Sequence, residues 1–243
     1  MRCGKTRTLG IIGEAVDFET QLKLWCETPL GEPFLRPFTP NADWKGADVF
    51  IIGTNPATPL RDEFPSFDAY WRGLTVDRQL FHKEYERKHR DGSSMTSGRV
   101  GDLVKALRPI NCLVTNASWI PASSPKGISR AQWKQGTERL KALVRYCRPK
   151  VLFCHGSKAR AFASSLGANV DPYQPAAAQD TVCDGMLVLG YHHFTGQGLR
   201  PGGTFNPDAD IPVFVYRIRS YIGDAQPSVA ADAPLSGSVG KRC

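Results

Sequence analysis

Three segments each end an apolar run in a polar residue suited to chemistry: Val49-Phe-Ile-Ile-Gly-Thr-Asn-Pro-Ala-Thr58, Cys112-Leu-Val-Thr-Asn-Ala-Ser-Trp119 and Val188-Leu-Gly-Tyr-His-His-Phe-Thr-Gly-Gln197. This places Asn55, Asn116, His192 and His193 at strand ends, where open α/β sheets bind ligands. An Asn amide oxygen can hold a water, and the whole amide can donate to and accept from the edge of a flat ring. A neutral imidazole can donate to an oxygen that gains negative charge. Taken singly, each segment has a plainer reading. Gly53-Thr-Asn-Pro56 suits a turn, Asn116 a cap and the His pair a solvated loop. His155 also ends an apolar run, where a structural role is the favoured reading. His82 and His89 fall in a charged stretch and read as exposed. It is the order of the three strand-end motifs that points to a split site.

The elements that must position these residues follow from periodicity and punctuation. The chain of 243 residues is 41% hydrophobic and 22% charged, enough for one large α/β domain with a full core. Phe18 to Cys26 is predicted helical with Asp17 as its cap, and the prolines from Pro29 to Pro40 predict a surface run. Strands are predicted at Val49–Ile52, Asn111–Val114, Val151–Cys154 and Met186–Leu189. Weak helical character covers Ala69–Leu80, Lys83–Arg90 is dense in charge, and Ser93–Gly101 reads as a small, polar, mobile stretch before a short helix at Asp102–Leu107. Ser129 predicts the start of an amphipathic helix to Tyr146, with Trp133, Leu140, Leu143, Val144 and Cys147 on its apolar side. Gly156-Ser157 opens another helix, and Val213–Ile222 closes the domain. A strand followed by a crossover helix, repeated, gives a right-handed parallel sheet.

The formal charge of +8 and a pI near 9.2 favour an anionic partner. Seven cysteines, an odd number with no Cys-x-x-Cys pair, read as reduced thiols of a cytosolic protein, with Cys112, Cys147 and Cys154 in the core. No run of about eighteen apolar residues is present, and the N-terminus lacks the apolar core of a signal peptide, so a soluble intracellular protein with no membrane partner is expected. The Ala-, Ser-, Pro- and Gly-rich stretch from Gly223 to Cys243 is expected to be a disordered tail after a domain spanning 1–222.

A strand ending in Gly-x-Asn-Pro, a strand ending in Asn, a strand followed by Gly-Ser and a helix, and a strand ending in a His loop together resemble the uracil-DNA glycosylase superfamily, over roughly Ala47 to Arg200. The resemblance implies a three-layer α/β/α sandwich with a central, mostly parallel four-stranded sheet. It also implies a monofunctional enzyme that flips uracil out of DNA and hydrolyses its N-glycosidic bond, leaving an abasic site, with no cofactor and no metal. In the family's terms Gly53, Thr54, Asn55 and Pro56 match the water-holding motif, with Asn55 aiming the water at the sugar C1′. His192 matches the residue that donates to the leaving base, and His193 competes with it because a one-residue slip exchanges them. Asn116 matches the base-reading Asn, and Phe64, with Phe67 next, matches the aromatic residue that stacks on the flipped base.

Two departures modify these implications. Ala57 stands where some uracil-specific relatives carry a bulky Tyr, which predicts tolerance of larger bases, deaminated purines or mismatched bases among them. His193-Phe-Thr-Gly-Gln197 replaces a loop that in relatives often carries Pro and Ser, leaving Phe194 or Leu199, beside Arg200, to wedge into the duplex. Lys126, Ser157 and Lys158 are the candidates for gripping phosphates. The expected partner is uracil-containing DNA, bound by a monomer in the cytoplasm, at the nucleoid if the protein is bacterial. A rival reading is a DNA-binding relative of weak activity, since Asn55 is a poor activator.

Overall fold

A computed structural model describes residues 16–88, 94–196, 199 and 205–223. In chain order the principal elements are α1 (Phe18–Cys26), β1 (Val49–Gly53), α2 (Phe67–Thr75), α3 (Arg78–Lys88), α4 (Met95–Leu107), β2 (Cys112–Asn116), α5 (Arg130–Cys147), β3 (Val151–His155), α6 (Ser157–Ser165), β4 (Val182–Cys183), β5 (Met186–Tyr191) and α7 (Pro207–Ile222). The strands form one sheet in the order β2-β1-β3-β5-β4. β2, β1, β3 and β5 run parallel, and β4 is an antiparallel edge. The expected four-stranded sheet therefore has a fifth strand. Asp184 (φ 49°) and Gly185 (φ 76°) both take positive φ, as a type I′ hairpin turn requires, and fold β4 back on β5.

Helices cover both faces of the sheet. Alternation along the strands sends Phe50, Ile52, Leu152, Cys154 and Val188 to one side, against Leu22 and Cys26 of α1, Tyr70 and Leu74 of α2, Leu140 and Leu143 of α5, and Phe162 of α6. Val49, Ile51, Val151, Phe153, Leu187, Leu189 and Tyr191 face the other side, against Val100, Leu103 and Leu107 of α4 and Phe214 and Ile218 of α7. The result is the three-layer α/β/α sandwich. Because both faces are covered, the central strands are apolar along their length rather than alternating.

Local chemistry sets most boundaries. Asp17 caps α1 by accepting from the Glu19 and Thr20 N–H groups, and Ser129 and Gln132 form a capping box at the start of α5. Ser94 caps α4 through the Ser97 N–H at 3.2 Å, so the stretch expected to be mobile is instead, from Met95 onward, the first two turns of a helix. Its apolar stripe, Val100, Leu103 and Leu107, supplies the burial that holds it. α7 starts at Pro207, earlier than expected, under the Asn206 cap, with Pro212 inside it. The region read as weakly helical, Ala69–Leu80, is two helices, α2 and α3.

The proline-rich segment is not a simple surface run. Phe34, Leu35 and Phe38 are buried, and Thr39 donates to the Val114 carbonyl at 2.8 Å beside a Phe38–Thr115 bridge. The segment thus covers the outer edge of β2, where a missing proline N–H does no harm. Cys26 and Cys154 are buried free thiols, whereas Cys112 and Cys147 are only partly buried. Among the described residues no helix is long and apolar enough to cross a membrane. Of the tail expected from Gly223 to Cys243, Gly223 caps α7, and the remainder, like Arg200 and His89, lies outside the described residues.

Candidate functional site at the carboxyl ends of the strands

Parallel register assembles the site. Gly53 pairs with Asn116 across β1 and β2, and one step beyond the Ile52–Cys154 pair lies His155, which pairs in turn with Tyr191 on β5. Residues level with one another on adjacent strands share a face, here the α4/α7 face. Gly53 is hemmed in within this row. A Cβ there would lie 2.8 Å from Asn116 Oδ1 and 3.1 Å from His155 Nε2, so both groups crowd against the glycine and leave no room for a side chain. Glycine is needed at this position for room, not for an unusual φ.

His193, after β5, lies on the other side of His155, beside Gly156. Tyr191 faces α7, where its hydroxyl donates to Asp210 at 2.7 Å, so His192 turns to the opposite face and His193 returns to the first. The His193 ring lies 5.9 Å from that of His155, and its Cδ2 would be 3.3 Å from a Cβ on Gly156. Thr54 Oγ1 would be 3.4 Å from the same Cβ, so Thr54 and His193 flank the Gly156 turn. Gly156 has φ 85° and ψ 161°, a conformation essentially confined to glycine, and it leads directly into the N-terminus of α6. The first N–H groups of that helix bring positive potential to this edge of the site.

Two of these imidazoles have depressed pKa values for stated reasons. Burial, reinforced by the neighbouring His193, pushes His155 down to about 3, and burial also lowers His193. Both rings are therefore neutral at pH 7. Nδ1 of His193 lies 2.7 Å from Thr195 Oγ1 and accepts from the Thr195 N–H at 3.4 Å. An Nδ1 that accepts puts the proton on Nε2, leaving a neutral Nε2–H donor.

The Gly53–Pro56 turn is laced to the chain after β2. Ala117 N–H donates to Gly53 O, Ser118 N–H to Thr54 O and Ala122 N–H to Pro56 O, at 2.9, 3.0 and 2.9 Å. Within this frame Asn55 Nδ2 donates to Ala122 O at 2.7 Å and to Pro56 O at 3.0 Å. Both partners are carbonyls, so the nitrogen must face them, and Oδ1 is left as an acceptor. It can orient a water.

Several expected site residues lie elsewhere. His192 is 3% exposed on the opposite face, edge-on to Tyr173 at 4.5 Å, with its pKa lowered by burial and by the Arg160 charge. Phe194, expected as a wedge, is fully buried, between Phe153, Tyr191 and His155. In this conformation it is core, because the β5 loop folds it under the sheet edge, while Leu199 is half-buried beside Gly196. Phe64 is buried against Tyr70 and Phe81, and Phe67 packs on Phe34, Tyr70 and Trp71, so both rings belong to the aromatic cluster around α2. Ala57, Lys126, Ser157 and Lys158 are exposed, Lys126 in a short turn and Lys158 over the Trp133 ring at 4.7 Å. His82 is half-buried and accepts from Arg78 at 2.9 Å.

His155 is the residue that sequence reasoning underweighted. Its signal was available: it ends an apolar strand immediately before Gly-Ser and a helix, the same placement that singled out Asn116. Among the described residues no group of three His, Cys, Asp or Glu side chains is placed to hold a metal ion. The chain matches no protein-family model and shows no significant similarity to any curated protein.

Proposed function

We propose that the protein is a monofunctional uracil-DNA glycosylase that acts on DNA as a cytoplasmic monomer, without a cofactor. The observation that carries this reading is that Asn116 Oδ1 and His155 Nε2 meet at Gly53, with the His193 ring 5.9 Å from that of His155 and Asn55 held so that only its amide oxygen is free. Hydrolysis of an N-glycosidic bond leaves positive charge on the sugar and negative charge on the departing base. A water held by Asn55 Oδ1 would attack C1′, but a neutral amide is a weak base, so stabilising the departing base must supply most of the rate. The neutral Nε2–H of His193 would donate to a base carbonyl oxygen, and the α6 N-terminus would add favourable potential at the same edge. Asn116 would read the base. Lys126, Ser157 and Lys158 are exposed to meet phosphates, in keeping with the net charge of +8.

Ala57 supports a broader substrate range. It is exposed and ends at Cβ, so it sets little steric mass against a 5-substituent or a larger ring. Deaminated purines and mismatched bases are therefore alternative substrates of the same site. The deciding experiment is alkali cleavage of end-labelled oligonucleotides, each with a single uracil, hypoxanthine, xanthine or thymine, by wild type and His193→Ala. Excision of uracil by wild type, lost in the variant, is the expected result. Salt-sensitive binding without excision of any base would leave a DNA-binding protein and end the enzymatic reading.

A further inference from the structure

The neutral imidazole of His155 has no part in the proposed hydrolysis, yet it occupies the centre of the strand-end row. It is 3% exposed, and its Nδ1 is sealed from solvent with no hydrogen-bond partner. Phe194 packs against its ring at 4.8 Å and Phe153 lies at 6.5 Å, so apolar rings enclose it on the core side. Nε2, in contrast, lies against Gly53, as Asn116 Oδ1 does. A neutral imidazole carries one proton. An N–H sealed without an acceptor is a rarer and costlier defect than a sealed lone pair, which puts the proton on Nε2. The carboxyl edge of the sheet thus carries an N–H donor and an amide oxygen acceptor against the same glycine.

We propose that His155 is a specificity-determining residue: its Nε2–H and the Asn116 Oδ1 form a donor–acceptor pair that reads the adjacent N–H and C=O of a lactam edge, N3–H and O4 in uracil. The inference rests on the glycosylase reading of the site. Cytosine presents the reverse pattern, a ring nitrogen acceptor beside an amino donor, and adenine does likewise. Against either base the buried His155 donor would face another donor and the Asn116 oxygen would face a lone pair, a mismatch that costs far more than the loss of one good contact. Hypoxanthine carries the same lactam edge as uracil, so the pair selects for the product of deamination and not for ring size. Ala57 leaves room for that second ring.

The test exchanges the oxygen that His155 is proposed to meet. Single-turnover excision is measured on oligonucleotides bearing one 2′-deoxyuridine, its 4-thio analogue or its 2-thio analogue, with wild type, His155→Leu and His155→Gln. Sulfur at C4 is a weaker acceptor, and its effect on leaving ability enters every protein equally, so the uracil to 4-thiouracil rate ratio is the readout. That ratio should fall about tenfold in His155→Leu and return to within about threefold of wild type in His155→Gln, whose amide restores a donor. The 2-thio ratio should not depend on residue 155. An unchanged 4-thio ratio in folded His155→Leu, or a ratio about tenfold below wild type in folded His155→Gln, overturns the proposal. If wild type excises none of the three bases, the glycosylase reading fails on its own. The edge pairing is then decided by titrating wild type with free uracil, 4-thiouracil and 3-methyluracil: binding of uracil alone supports it, and equal binding or none overturns it.

Discussion

His192 and His193 are adjacent in the chain and opposite in circumstance. His192 is packed beside Tyr173 and Arg160 on the α5/α6 face, while His193 lies on the α4/α7 face with His155, Thr54 and Gly156 around it. Their chemistry is identical, and burial lowers the pKa of both. What separates them is the period-2 alternation of β5, which assigns one ring to the packed interior and leaves the other partly exposed beside His155 and Gly156. Of two like residues, the one proposed to act is thus distinguished by the face its strand turns it to, not by its type.

The contrast is broken most directly by substitution. His193→Ala should lower uracil excision by about 10²- to 10³-fold in a single-turnover assay, the loss typical of removing one positioned donor to a developing anion, with little change in Tm. A His192→Ala protein should excise within about threefold of wild type per folded molecule. If His192→Ala carries the large loss instead, the proposed division of roles is reversed. Gly53→Ala should come next, at about 10²-fold in kcat/KM. Its methyl would displace Asn116 Oδ1, the end of a side chain that can move, so activity should suffer more than the urea midpoint.

Stability effects are smaller and should fall on the other side of the comparison. His192→Ala should cost about 1–3 kcal/mol in urea unfolding, because it leaves a hole beside Tyr173 and Arg160. Acid should also destabilise the fold. His155, at about 3 in the folded protein, and His192 and His193, both lowered, bind protons more readily unfolded, so stability is complete above the unfolded histidine range and declines as pH falls through it toward the folded values. The fall should be steepest below about pH 6.5. His155→Gln should flatten it, and an unchanged slope would show that this ring is solvated. The smallest effects are expected at the exposed lysines. Lys126→Ala or Lys158→Ala should weaken DNA binding uniformly across sequences and reduce the salt slope by about 0.9 each.

The sequence by itself determined the fold class and most of the frame. Buried strands read as apolar runs, Asp17 and Ser129 announced their helices, and the strand-end motifs fall together at one edge of the sheet. Asn55, Asn116 and Gly53 were legible because each interrupts or ends such a run. The choice between His192 and His193 was not, because β5 is apolar at every position from Met186 to Tyr191 and shows no alternation from which a face could be read. Burial on both sides of the sheet erases that signal. Phe64, Phe67 and Phe194 misled for a related reason: an aromatic ring suits a base-stacking platform and a core equally, and only packing decides. His155 was legible as a strand-end residue, as Asn116 was, but its place against Gly53 came from register. A strand-end residue becomes part of a site when the neighbouring strand puts a glycine beside it, and that is settled by the tertiary pairing of β1 with β3, which no local pattern encodes.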